Sequence, residues 1–521
     1  MNSNYLKTLA LLLFIVLTSI VIGLSYGNSN QNTYLIHGLT QIKPDFLSSD
    51  WFAHSTHHYH DKFSYVLIFV NYLGLPIDIS LTAIEVILRI IALVAIYKII
   101  SLTTNKYAFM SFVIVLFFVI LEQTHSVANS RIFSTMLEPS SFGSSLSLVG
   151  FLFFLRGHYF ISGASIAVAG YMHTNFLILG FVYLGIAHVL LGVEDIMRRV
   201  AMQFGPMVFV LAMDLPFLSS MMSSENAEKA TYIFQFIRSP HHYVPSYYMV
   251  DFILFAGWSI LGLAGLQLIT IENGLKRRLV GLYSALLSLV IISTLLTTAV
   301  FIPIVSKLFV WRMAPFSVLL SQMLFVAGIV SHAFSEKAES GVRLVTILFL
   351  LLLGYLFILR WYWYKYGLSS SKTLLLAGIL CCCGVLFLRN YIAARINPVY
   401  LTKTAINVVC IGMLSLILAY EFRSPFYDRS TLLNGHPGKT ESELYQWVKT
   451  TDESAIFLTP PGLDNFRLHG ERAIIADWKS TPVDPNGLME WYKRIQDITG
   501  LVDIKSSNDA NEAYLHTNID R

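Results

Sequence analysis

Runs of about twenty apolar residues recur along most of this chain, and no other feature constrains its fold as strongly. A hydrocarbon layer about 30 Å thick is crossed by roughly 20 such residues in a helix. Runs of this kind cover Thr8–Tyr26, Asp78–Ser101, Tyr107–Glu122, Ser140–Leu155, Tyr159–His173, Thr174–Leu191, Val200–Phe217, Phe252–Thr270, Leu279–Val300, Met313–His332, Val342–Leu359, Lys372–Leu388 and Thr402–Tyr420. They predict a mainly α, polytopic bundle of about 13 transmembrane spans over residues 1–420. The first run, with Lys7 ahead of it and no small-residue cleavage pattern behind it, reads as a retained signal anchor. Phe63–Leu75 is shorter and reads as a helix lying along the interface.

Charge separates a second region. Only 13% of the 521 residues are Asp, Glu, Lys or Arg, against about 25% in a typical soluble domain. Residues 421–521 nevertheless hold 11 Lys/Arg and 16 Asp/Glu, a net of −5, and the remaining 25 and 16 give the rest a net of +9. The composition excludes a disordered chain and argues against a soluble enzyme; it predicts a membrane body carrying a water-soluble tail. Cys381, Cys382, Cys383 and Cys410 all lie in apolar runs and have no zinc-type spacing.

The density of Lys and Arg sets the expected orientation. With the N-terminus inside, Lys106, Arg156, Arg198, Arg199, Lys276, Arg277 and Arg278 fall in short inner turns. The long loops, about 27–77, 123–139 and 218–251, then face outward together with the tail and twelve of the fifteen histidines. The working face is therefore expected outside, periplasmic or extracellular in a bacterial inner membrane.

The outer loops carry the candidate chemistry. The first places Asp50 beside Trp51 and gathers His54, His57, His58 and His60, whose type suits a divalent metal although their ragged spacing fits no closed zinc pattern. The second supplies Arg131 and Glu138; Pro139 follows Glu138 as the first residue of a helix, so capping and catalytic roles both suit this acid. His173 stands at the tip of a hairpin of small residues. Asp214 is an acid within an apolar run, whereas Glu85 and Arg89 are spaced to neutralise each other on one helix face. The third loop reads FIRSPHHYVPSYY and offers His241, His242 and Tyr243 between prolines. Arg312 follows Trp311, and a guanidinium matches the geometry of a phosphate. There is no Walker lysine motif, no GxSxG and no HExxH.

In the tail, TESELYQWVKTT and GLMEWYKRIQDI have helical spacing, NEAYLHT suggests one more helix, and AIFLTPP and AIIADW read as strands, which predicts a small α/β domain over 421–521. Asp477-Trp478-Lys479 closes the second strand, where a turn or ion-pair role is the simpler reading.

The combination of SSDWF, an interfacial helix after it, FLRGHYFISGASIAVAGYMHTNFLILG and an outer C-terminal domain resembles the polytopic GT-C-type glycosyltransferases. More closely, ELYQWVKTTDESAIFLTPP, FRLHGERAIIADWKSTP and MEWYKRI are similar to a domain of unknown function attached to uncharacterised bacterial membrane proteins. The GT-C resemblance implies transfer of a sugar from a polyprenyl-phosphate donor to a glycan, lipid or protein acceptor, with no nucleic acid partner. It implies a first-loop catalytic carboxylate, which falls on Asp50. Glu138 and His173 are further catalytic candidates. Arg131, His241, His242, Tyr243 and Arg312 are candidates for holding the phosphate. A paired acid and a WWD motif are both missing. The alternative is a non-catalytic transporter, flippase or assembly protein for surface polysaccharide.

Overall fold

The computed structural model describes residues 11–333, except 17, 20–21, 28–29, 57–59, 122–126, 193–194, 223–224 and 300–307, and then residues 439–518. The chain is mainly α with a small β/α region at its C-terminal end. In chain order the first helices are α1 (Gln31–Ile42), α2 (Trp51–Ser55), α3 (Ser64–Tyr72), α4 (Ile77–Thr103), α5 (Ala108–Leu121), α6 (Pro139–Leu155), α7 (Tyr159–Met172) and α8 (Thr174–Leu190). They are followed by α9 (Ile196–Met222), α10 (Ala227–Tyr232), α11 (Met249–Leu268), α12 (Asn273–Thr298) and α13 (Ala314–Ala333).

The count of about thirteen spans and the GT-C-like bundle built on it are not upheld. Among the described residues, five helical segments are long and apolar enough to cross a membrane: Ile77–Thr103, Ile196–Pro216, Asp251–Leu268, Asn273–Thr298 and Val310–Ala333. The reason is geometric. α6, α7 and α8 have 17, 14 and 17 residues, and at 1.5 Å per residue they extend only about 25, 21 and 25 Å. The chain breaks at Gly157, which adopts φ +79°, and at His173, which is extended between α7 and α8. The apolar runs expected at Val342–Leu359, Lys372–Leu388 and Thr402–Tyr420, and the first part of Thr8–Tyr26, lie outside the described residues. The long apolar helices mark a membrane-associated helical protein.

Small residues set the spacing inside the bundle. α11 and α13 pack along their length, with Gly265 against the Leu324 carbonyl and Gly328 against Gly265 itself. A Cβ at either glycine would overlap the facing backbone, the close approach that small residues permit between apolar helices. Likewise Gly163 of α7 lies against the backbone of Gln203 in α9. Ser162 donates to the Gly150 carbonyl at 2.7 Å and accepts from the Gln203 amide at 3.1 Å. The Glu85–Arg89 pair is structural, as its spacing suggested: Arg89 Nε meets Glu85 at 2.8 Å, and the guanidinium also donates to the Ser19 and Ser134 carbonyls. α3 buries Leu67 and Val70 and exposes Tyr65, Phe69 and Tyr72.

The C-terminal region runs α14 (Lys439–Lys449), β1 (Ile456–Phe457), α15 (Phe466–Gly470), β2 (Ala473–Ile474), α16 (Pro485–Thr499) and α17 (Ser507–Asn518). β1 and β2 are parallel, with Ile456 opposite Ala473. Asp484 caps α16 by accepting from Gly487, and Gly500 ends it at φ +71°, the usual signals at the two helix ends. Trp478, Trp491 and Ile495 form a core with Ala230 and Ile233, which belong to the bundle side.

Candidate functional site

Asp50 occupies a different setting from the one its motif suggested. Its Oδ1 accepts the Ala53 N–H at 2.9 Å, capping α2. Its Oδ2 accepts from Arg467 Nε at 2.8 Å and from the Ile474 N–H at 3.0 Å. Arg467 also bonds Asp477, and all three side chains are about 1% exposed or less. A catalytic base needs an oxygen that can reach a substrate proton; here one oxygen caps α2 and the other ties the first loop to the C-terminal domain.

A second group of polar side chains gathers where the apolar helices end. Glu138 is the N-cap of α6 in a capping box with Ser141, accepting from Asn30 and from Ser140, each at 3.1 Å. Burial pushes its carboxyl above the usual range, opposed by these hydrogen bonds and by the charges of Lys479 and Arg312. His173 holds the turn between α7 and α8: its N–H bonds the Ala169 carbonyl, and its carbonyl accepts the Phe176 N–H. Its ring lies 4.0 Å from that of His60 and 5.2 Å from that of Phe176. His173 Nδ1 is buried without a hydrogen-bond partner among the described residues. His60 in turn meets Tyr34 of α1 at 5.5 Å. Burial first, then Arg312 and Lys62, lower the His60 imidazole to about 3, so the ring is neutral at ordinary pH.

Arg312 joins these histidines to the third loop. Its guanidinium stacks over Phe176 at 5.6 Å and over Phe309 at 4.9 Å. Its Nε has no hydrogen-bond partner among the described residues, although the side chain is only partly accessible. Phe309 also touches His242 and Tyr243, at 5.2 and 5.5 Å. The His242 ring bonds the Ala128 carbonyl at 2.9 Å, and burial together with His241 lowers its imidazole to about 3. Asn175 anchors the hairpin tip by donating to the Leu308 carbonyl at 2.9 Å. His60 and Phe309 both take left-handed backbone, at φ +60° and +45°. Non-glycine residues do so at a cost of about 1–3 kcal/mol, and such sites concentrate where geometry is functional.

Two more cations complete the group. Arg238 ends a π-helical turn and donates to the Lys479 carbonyl at 2.9 Å. Lys479 lies within electrostatic reach of Arg238, Asp464, Glu138 and Asp477; burial first, then Arg238, lower its ammonium from the usual value.

The structure thus brings together Glu138, His173, His242, Tyr243 and Arg312 with His60 of the candidate metal group, and adds Tyr34, Arg238 and Lys479. Asp50 pairs instead with Arg467, which also holds Asp477. Arg131 and His241 are exposed, although His241 still touches the His242 ring at 4.2 Å. His54 is exposed and bonds the Phe46 carbonyl at 3.2 Å. His57, His58 and His125 lie outside the described residues. Among the described residues, no three His, Cys, Asp or Glu side chains are grouped to hold a metal. Asp214 accepts from Lys62 and, at 2.9 Å, from Thr174. Tyr34 carried no sequence signal, since a lone tyrosine in a polar loop looks like any other.

The fold and this site define a membrane-embedded helical protein whose polar cluster lies between apolar helices and a small β/α domain. Residues 439–498 match the family described as "Domain of unknown function (DUF6798)", which bears out the resemblance read in the tail. No curated protein and no solved structure matches the chain.

Proposed function

We propose that this protein transfers a sugar from a polyprenyl-phosphate-linked donor to an envelope glycan, lipid or protein acceptor. The observation that carries this reading is that Arg312 and Lys479 both act on Glu138 where the apolar helices end, with Arg238 bonded to the Lys479 carbonyl at 2.9 Å. A lipid donor keeps its tail in hydrocarbon and offers its phosphate at that level. Guanidinium groups match phosphate oxygens, and in a low-dielectric site cations stabilise a departing phosphate strongly. Glu138 takes the acceptor hydroxyl proton, the acceptor oxygen bonds the anomeric carbon, and the bond from that carbon to the phosphate oxygen breaks. The base role passes to Glu138 because Asp50 is held in a buried ion pair with Arg467, whereas Glu138 accepts from the neutral side chains of Asn30 and Ser140. In this reading the site and the C-terminal domain face the periplasmic side of a bacterial inner membrane.

The test is transfer from a labelled polyprenyl-phosphate sugar by the full chain in vesicles of bacterial lipid. Glu138→Gln should lower turnover by at least about 100-fold, the ordinary contribution of a positioned base. Unchanged turnover in that variant would sink the assignment. The use of Glu138 as a helix cap favours a second reading, a non-catalytic carrier or assembly protein for surface polysaccharide. That reading expects binding of the lipid phosphate without transfer.

A further inference from the structure

The far end of the bundle carries cations that the polar cluster does not use. α6 begins beside its cap Glu138 and ends at Leu155, about 25 Å further along its axis, where the chain turns through Arg156 towards α7. Side-chain contacts bring the neighbouring turns to the same end. Arg278, near the start of α12, donates through Nε to the Leu155 carbonyl at 2.7 Å. The His188 ring, near the end of α8, lies 5.2 Å from that of Tyr159 at the start of α7, and Gly281 of α12 faces the Ala187 carbonyl of α8. Arg199 reaches back from the start of α9 to donate to the Gly192 carbonyl, and its Nε has no hydrogen-bond partner among the described residues. Arg156, Arg198, Arg199, Lys276, Arg277 and Arg278 therefore share one end of the bundle. The same stretches of sequence hold the acids Glu194, Asp195 and Glu272, so six cations against three acids leave a positive surplus.

We infer that this end of the bundle binds the headgroups of anionic phospholipids, whose phosphates meet the Arg and Lys side chains while their acyl chains cover the apolar side chains alongside. Two independent features support this. The first is where the cations stand. α9 opens IMRR and α12 opens NGLKRR, with no acid in either first turn. A helix N-terminus carries a partial positive charge, so cations there oppose the helix rather than support it, and an anion outside the chain offsets both. The second is what surrounds them. Phe160 of α7, Val189 of α8 and Met197 of α9 are each more than half exposed, beside the exposed cations Arg156, Arg198 and Arg277. A free anion would leave these apolar side chains uncovered, whereas a phospholipid covers them and matches the guanidinium groups with its phosphate. The surface lies at the opposite end of α6 from Glu138, so it stands apart from the sugar-transfer reading and does not depend on it.

The experiment titrates the full chain, held in an uncharged detergent, with phosphatidylglycerol, and with phosphatidylcholine and inorganic phosphate as separate arms. The wild type should bind phosphatidylglycerol saturably and more weakly as salt is raised. Arg156→Gln/Arg277→Gln, which removes two exposed cations, should weaken that binding by about tenfold or more. Lys43→Gln/Lys229→Gln, which removes two exposed cations elsewhere, should bind as the wild type does. Equal binding of phosphatidylcholine, an equal loss in the two double variants, or no loss in the first would overturn the inference. Inorganic phosphate bound as tightly as the lipid would overturn a phospholipid as the occupant. Loss of phosphatidylglycerol binding in Arg312→Met instead would put the lipid at the polar cluster, and would overturn the inference while leaving the reading of that cluster intact.

Discussion

Asp50 and Glu85 are both acids near the membrane, and their partners explain why only one was legible. Glu85 finds Arg89 one turn away, a spacing visible in any helical reading. Asp50 finds Arg467, 417 positions distant, and no local pattern announces that pairing. The motif around Asp50 therefore suggested chemistry where the fold uses the carboxylate to join two regions. Asp50→Asn should accordingly lower the thermal midpoint of the purified protein. Breaking a buried pair costs about 3–5 kcal/mol, and Asp477, which stays on Arg467, places the loss at the lower end. A variant with an unaltered midpoint and no activity would instead restore the catalytic role. Glu138, His173, His242, Tyr243 and Arg312 were legible as chemically able groups in outer loops. Tyr34 and the contribution of Lys479 emerge only once α1 and the C-terminal domain stand beside them.

Helices show a similar division. Apolar runs located nearly every helix between residues 77 and 333, because a hydrophobic stretch in this chain is helical almost wherever it occurs. They overstated how many could cross a membrane, since runs shorter than the roughly 20 residues a crossing needs were counted as spans. α6, α7 and α8, with 17, 14 and 17 residues, are the instances. Glycine spacing carries more information than hydropathy there. Gly265→Leu should push α11 from α13, because its side chain would enter the backbone of Leu324 and Phe325. Overpacking costs about 1–3 kcal/mol or more, and a lower thermal midpoint measures it. Gly185→Leu, with open space around its Cβ, should leave the midpoint nearly unchanged.

The whole molecule joins an acidic tail to a basic body through a few buried contacts, and its histidines set how that assembly responds to acid. His60 and His242 have imidazoles lowered to about 3 in the folded protein, whereas an unfolded chain protonates them near 6.5. Below about 6.5 the unfolded state binds more protons, so stability falls with pH down to about 3, by at most about 1.4 kcal/mol per pH unit for each group. His60→Gln should flatten the fall in thermal midpoint between pH 6.5 and 4.5; an unchanged slope would show that the ring charges freely. The division into membrane body and β/α tail was legible from charge density. Their docking was not, because the side chains that join them are scattered through loops whose composition looks only polar.

On the proposed function, Arg312 and its neighbours bind a phosphoryl group at the membrane. Titration of polyprenyl phosphate into the full chain in nanodiscs, wild type against Arg312→Met, tests it most directly. Saturable, salt-sensitive binding is expected of the wild type and a loss of about tenfold or more in the variant, with the thermal midpoint held or raised because a buried cation is removed. Equal binding by the two proteins, or none by the wild type, would contradict it.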